Sequence, residues 1–176
     1  MDIGKGRIYV AKIEEFLRNG LLHLVDVNVV KKVRDWSITF SLWPPHFTTA
    51  CCGCEFAATS GPRFDAERFG VLPYFSPRQC NLLLIEGTLT KKMAKAAKII
   101  YEQMPEPKFV IVMGACAIDG GIFWNSYNIV RPHEILPVDV FIPGCPPRPE
   151  AVIQSVIMLQ DKIKRRLKYS EWGKGK

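Results

Sequence analysis

The chain has 176 residues, 48% of them hydrophobic, with 24 lysines and arginines against 17 aspartates and glutamates. That apolar share sustains a domain with a real core and excludes a disordered chain. The net charge of +7 suits an anionic partner, but no nucleic-acid motif accompanies it and the aromatics are not interleaved as base stacking requires, so no nucleic-acid partner is expected.

No basic run followed by a long apolar segment opens the chain, so a secretory leader is not expected. No window reaches roughly 18 uninterrupted apolar residues, so a membrane span is not expected either. Lys12 to Val33 reads as one or two short amphipathic helices around Asn19-Gly20. Asp35 to Phe47, DWSITFSLWPPHF, crowds Trp36, Phe40, Trp43 and Phe47 together with few charges, and Pro44-Pro45 stops any helix there. Such a segment needs cover, and the expected cover is a partner subunit or a membrane interface, where Trp is favoured.

Beyond it, strand and helix signals alternate. NLLLIEG (Asn81 to Gly87) is a continuous apolar run closing on glycine, as a buried parallel strand reads. Thr90 to Met104 is a helix with Met93, Ala97, Ile100 and Met104 on one stripe, Thr90 as N-cap and Pro105 beyond its end. KFVIVMGACA (Lys108 to Ala117) and VDVFIPGCPP (Val138 to Pro147) are two further strands running into glycine-containing loops, and Pro149 to Arg166 is the last helix. This order implies an α/β fold, a parallel sheet flanked by helices, and such sheets bind ligands outside the carboxyl ends of their strands. Cys116 and Cys145 each follow a strand and therefore arrive at one sheet edge.

Six cysteines without a leader argue for metal binding rather than disulfides. Cys51 and Cys54 form a Cys-x-x-Cys pair, with Gly53 easing the turn, and Cys116 and Cys145 add two more thiols. Four thiolates suit structural zinc or a 4Fe-4S cluster, and singletons on separate strand ends fit a cubane better than paired zinc knuckles. A zinc-stabilised scaffold is the distant alternative. Cys80, at the start of a strand, reads as a buried hydrophobe.

The motifs ACCGCEFAATSGPRFDAERFG, SPRQCNLLLIEGTLTKKMA, YEQMPEPKFVIVMGACAIDGG and VDVFIPGCPPRPEA resemble the component of respiratory complex I that carries its terminal cluster, the B subunit of NADH–quinone oxidoreductase. They are also similar to the small subunits of membrane-bound NiFe hydrogenases and sulfur-reducing relatives. The resemblance runs from about Trp36 to Lys164. It implies a flavodoxin-like domain holding one 4Fe-4S cluster. The implied partners are a large hydrogenase-like subunit, other Fe-S subunits as electron donors, and membrane-embedded subunits. It also implies electron transfer to quinone or an analogous carrier, coupled to ion translocation, at the cytoplasmic face of the cell membrane. A hydrogenase or sulfane sulfur reductase is the alternative. The chain is then a subunit of an oxidoreductase complex and not catalytic alone.

The complex I pattern of ligands matches Cys51, Cys52, Cys116 and Cys145; the hydrogenase pattern matches Cys51, Cys54, Cys116 and Cys145. Adjacent ligands demand a strained turn of ~1–3 kcal/mol, which favours Cys54 with Cys52 as the alternative. Arg63 and Arg78 match cluster-adjacent positions, Glu55 is a third candidate beside the site, and His46 is a candidate proton carrier that more often would be structural. The expected organisation is a helical, partner- or membrane-contacting extension over residues 1–47, a cluster domain over 48–167 and a basic tail over 168–176.

Overall fold

Three apolar runs become three parallel strands: β1 (Leu82–Glu86), β2 (Phe109–Met113) and β3 (Val140–Ile142), in the order β1-β2-β3. Leu84 stands opposite Ile111, and Ile111 opposite Val140. The computed structural model describes residues 28–45 and 47–168, so the helices expected before residue 28, His46 and most of the basic tail lie outside the described residues. The chain divides into two compact units, Met1–Ser37 and Ile38–Lys176.

The helices in chain order are α1 (Asn28–Phe40), α2 (Cys52–Thr59), α3 (Lys91–Gln103), α4 (Ala115–Asp119) and α5 (Pro149–Lys168). Every residue of β1 and β2 is buried, because helices cover both sheet faces and each run is almost wholly apolar. On one face Leu82, Leu84, Phe109, Ile111, Met113, Val140 and Ile142 pack with Cys52 and Phe56 of α2 and with Val152, Val156, Leu159 and Ile163 of α5. On the other, Leu83, Ile85, Val110 and Val112 meet Ala94 and Ala97 of α3. The stripe expected on α3 faces that second cluster, and Thr90 Oγ1 accepts from Met93 N (3.3 Å), as an N-cap should.

Two departures from the sequence reading have local causes. The third strand contracts to three residues between Pro137 and Pro143, since proline ends ladder pairing. The stretch after β2 is not loop alone but the five-residue helix α4, bounded by Gly114 and Gly120. The aromatic segment before the first cysteines also divides. Trp36 is exposed at 63% and Phe40 at 38%, whereas Leu42 and Phe47 are buried. α1 continues to Phe40 before the prolines stop it. From there, Leu42 and Pro45 bridge to Val71 and Tyr74, and Trp43 and Thr48 reach the start and end of β1. Trp43 O accepts from Asn81 N and Leu82 N, Asn81 Nδ2 donates to Ser41 O (2.6 Å), and Thr48 pairs with Glu86. The chain is thereby delivered to the carboxyl end of β1, where α2 begins.

Candidate iron–sulfur site

Three segments converge where the strands end. α2 starts beside β1, Gly114 and α4 follow β2, and Pro143–Gly144–Cys145 follows β3. The last two are tied together: Gly114 N donates to Ile142 O (2.9 Å) and Ala115 N to Gly144 O (2.8 Å), so Cys116 and Cys145 are held on adjacent segments. All six cysteines are free thiols.

Cys52 is the inner member of the group. It is 4% exposed, and its thiol is pushed up to about 12, first by burial and then by the neighbouring thiols of Cys51, Cys116 and Cys145, with a hydrogen bond to Cys51 adding to it. These four side chains thus feel one another. Gly114 is shaped to admit Cys52. Its φ of 94° is one that L side chains avoid, and a Cβ there would stand 2.5 Å from Cys52 Sγ. Cys116 is buried at 8%, while Cys51 and Cys145 are exposed on the open side. Cys54 is exposed too, two residues along α2 from Cys52 and so about 200° around the helix axis.

The donor set fits an iron–sulfur cluster. Burial and the neighbouring thiols resist ionisation of Cys52, and a cationic iron core would relieve both. Among the described residues no group of three or more His, Cys, Asp or Glu is gathered tightly enough to hold a single metal ion. Thiols arriving from three separate segments suit a cubane, whose thiolates bind separate irons, better than paired zinc knuckles.

Other candidates fall around this centre. Glu55 is half-buried in the first turn of α2, where a carboxylate favours the helix dipole. Arg63 is exposed, with its guanidinium 5.4 Å from the Phe64 ring centroid, and Arg78 is exposed in the short 3-10 helix Pro77–Gln79. Among the described residues neither forms an ion pair or hydrogen bond with the cysteine group. Cys80 is wholly buried, with Sγ 3.8 Å from Tyr74 O, and burial pushes its thiol up to about 11; it is a core residue.

One residue escapes the sequence reading. Glu86 ends β1 and is 0% exposed. Its Oε2 accepts from Thr48 Oγ1 (2.8 Å) and its backbone O from Thr49 Oγ1 (2.9 Å). The available signal was a carboxylate closing an otherwise unbroken apolar run, immediately before a glycine.

Residues 50–159 match the family described as NADH ubiquinone oxidoreductase, 20 Kd subunit. The chain belongs to that family. It is 49% identical over 150 residues to the NADH-quinone oxidoreductase B 2 subunit of Streptomyces griseus, covering 84% of this chain and 64% of that protein. It is 54% identical over 133 residues to the NAD(P)H-quinone oxidoreductase K subunit of Thermosynechococcus vestitus, covering 74% and 56%. The match therefore spans less than two thirds of the length of these relatives. Among solved structures, the chain resembles one from the membrane-bound sulfane sulfur reductase, an archaeal respiratory membrane complex. That likeness has a TM-score of 0.71 and 42% identity over 80% of this chain and 84% of that one. An NAD+-reducing [NiFe]-hydrogenase chain shares the fold at TM-score 0.51 and 21% identity, over 69% of this chain and 92% of that one. The α/β architecture expected from the strand and helix pattern is thus the family's own.

Proposed function

We propose that this chain is an electron-transfer subunit of a membrane-bound respiratory oxidoreductase, in which Cys51, Cys52, Cys116 and Cys145 hold one 4Fe-4S cluster. Cys52 takes the place that the strain of adjacent ligands argued for giving to Cys54. The observation that carries this is the convergence at the strand ends, where Gly114 N and Ala115 N bond to Ile142 O and Gly144 O and Cys52 Sγ fills the space beside Gly114. When bound, such a cluster takes up and releases single electrons.

The chain's own residues set the conditions for that exchange. Cys52 and Cys116 anchor the buried side, and the core beneath them excludes water. Cys51 and Cys145 face outward, toward the large hydrogenase-like subunit that completes the acceptor site in this reading. Gly114 keeps the space that Cys52 needs. Arg63 and Arg78 contribute positive charge at longer range and raise the potential modestly, and Glu55 faces the same outer side. Other Fe-S subunits deliver electrons, membrane subunits couple the reaction to ion movement, and the chain sits peripherally on the cytoplasmic face. No described helix is long and apolar enough to cross a membrane. The acceptor is quinone or an analogous carrier, as the names of the curated relatives suggest. The 42% identity to a chain of a sulfane sulfur reductase supports a second reading, in which the acceptor is a sulfane compound.

Single serine replacements test the ligand set in the full chain, reconstituted anaerobically. The wild type is expected to bind about four irons and four sulfides per chain. Cys52→Ser, Cys116→Ser and Cys145→Ser are expected to lose them, and Cys54→Ser to keep them. A Cys54→Ser chain that empties while Cys52→Ser stays loaded would restore the Cys-x-x-Cys grip.

A further inference from the structure

Two cysteines two residues apart compete for one ligand position, and something must decide which of them turns inward. The decision lies in how α2 is locked against β1. Leu82, Leu84 and Glu86 alternate onto the sheet face that α2 covers. Glu86 is the last of the three, directly beneath the first turn of α2. The helix residue that meets it is Gly53, itself buried, at the position between the rival cysteines. A Cβ on Gly53 would overlap Thr48 Cγ2 and stand 2.6 Å from Glu86 Oε2. The backbone of α2 therefore rests on a carboxylate braced by the Thr48 hydroxyl (2.8 Å), and Thr49 fastens the incoming strand to Glu86 O (2.9 Å).

With Gly53 seated there, Cys52 points into the sheet edge and Cys54 into the open. Bringing Cys54 inward means rewinding the first turn of α2 alone, because Phe56 and Thr59 are buried further along and hold the rest of the helix; the rewound turn takes Gly53 from its seat and drives a side chain against Glu86 and Thr48. We propose that Glu86, braced by Thr48, is the positioning residue that selects Cys52 over Cys54 as cluster ligand. It touches the turn that carries the ligands and is not a ligand itself. This rests on the ligand set proposed above.

The test uses the full-length chain with Glu86→Ala, Glu86→Gln and Thr48→Val, each in the Cys52→Ser and Cys54→Ser backgrounds. Iron and sulfide per chain are measured after anaerobic reconstitution. In the metal-free chain, alkylation rates of Cys52 and Cys54 by iodoacetamide are also mapped by mass spectrometry. With Glu86 in place, Cys52→Ser is expected to be empty. Adding Glu86→Ala should restore much of the iron, because Cys54 can then turn inward, and Thr48→Val should restore part of it. Glu86→Gln keeps the volume and an oxygen that accepts from Thr48, so Cys52→Ser with Glu86→Gln should stay empty. In the metal-free Glu86→Ala chain, Cys52 should be alkylated several-fold faster and Cys54 more slowly than in the wild type. The inference is overturned if Glu86→Ala and Thr48→Val leave the Cys52→Ser chain empty and the alkylation pattern unchanged while circular dichroism stays native. Should Glu86→Ala fail to fold, Thr48→Val, which removes only the brace, decides the matter by the same readouts. A wild-type chain that binds no cluster, or one emptied by Cys54→Ser, would instead defeat the ligand set and not the selection.

Discussion

Cys52 becomes the inner thiol because α2 begins at that residue and not one position later. Spacing alone leaves Cys52 and Cys54 both eligible, since a tandem pair and a Cys-x-x-Cys pair share Cys51 and the two later cysteines. In the proposed account helix phase separates them, set by Gly53 against Glu86 and Thr48, of which Glu86 is distant in sequence. The place of Cys116 and Cys145 just past β2 and β3 was legible, because each follows an apolar run and glycine. Glu86 was not, because a carboxylate at a strand end reads as solvent-facing until the helix above it is known.

At Gly114, alanine would meet both an unfavourable φ and the Cys52 sulfur. Gly114→Ala is expected to cost about 1–3 kcal/mol in the metal-free chain, read from urea unfolding, and to abolish iron retention. Cys80 supplies a pH test away from the cluster. Its thiol ionises near 9.0 when unfolded and is held protonated to about 11 by burial in the fold. Below pH 9 it is neutral in both states and contributes no pH dependence. Between pH 9 and 11 only the unfolded chain gives up the proton, so stability falls by about 1.4 kcal/mol per pH unit. Cys80→Ala should flatten the metal-free stability profile by that slope over that window and leave its shape unchanged at lower pH; identical slopes in the two proteins would refute the assignment.

At the scale of elements, the strands were readable because burial on both faces leaves no alternation to obscure them, and α3 because its stripe, cap and stop agree. The helix α4 was hidden because five residues cannot display a 3.6-residue period, and its glycine boundaries also suit a loop. The short β3 reflects its prolines. α5 lays a long apolar stripe on the sheet, with Leu159 and Ile163 wholly buried against it. Leu159→Ala is expected to cost about 2–5 kcal/mol by urea unfolding. Thr90→Ala, which removes the cap of α3, should cost only about 1 kcal/mol. A reversed order would mean that α5 is not what closes this face of the core.

For the whole molecule, the basic excess and exposed aromatics bear on the proposed partners. Trp36, Phe75, Trp124 and Tyr127 are exposed at 63%, 85%, 70% and 88%. Such residues are costly in an isolated chain and ordinary in a subunit. The division of the aromatic segment, with Leu42 and Phe47 in the core and Trp36 outside, could not be read from composition, because which members of an aromatic run face inward depends on where α1 stops.

The decisive measurement is the absorption spectrum of the full chain, purified anaerobically and recorded before and after dithionite, with iron, sulfide and zinc determined on the same sample. One cluster held by thiols gathered at the strand ends predicts a brown protein with iron and sulfide in equal amounts and a broad visible band that dithionite bleaches. A colourless protein containing zinc and no sulfide would contradict it.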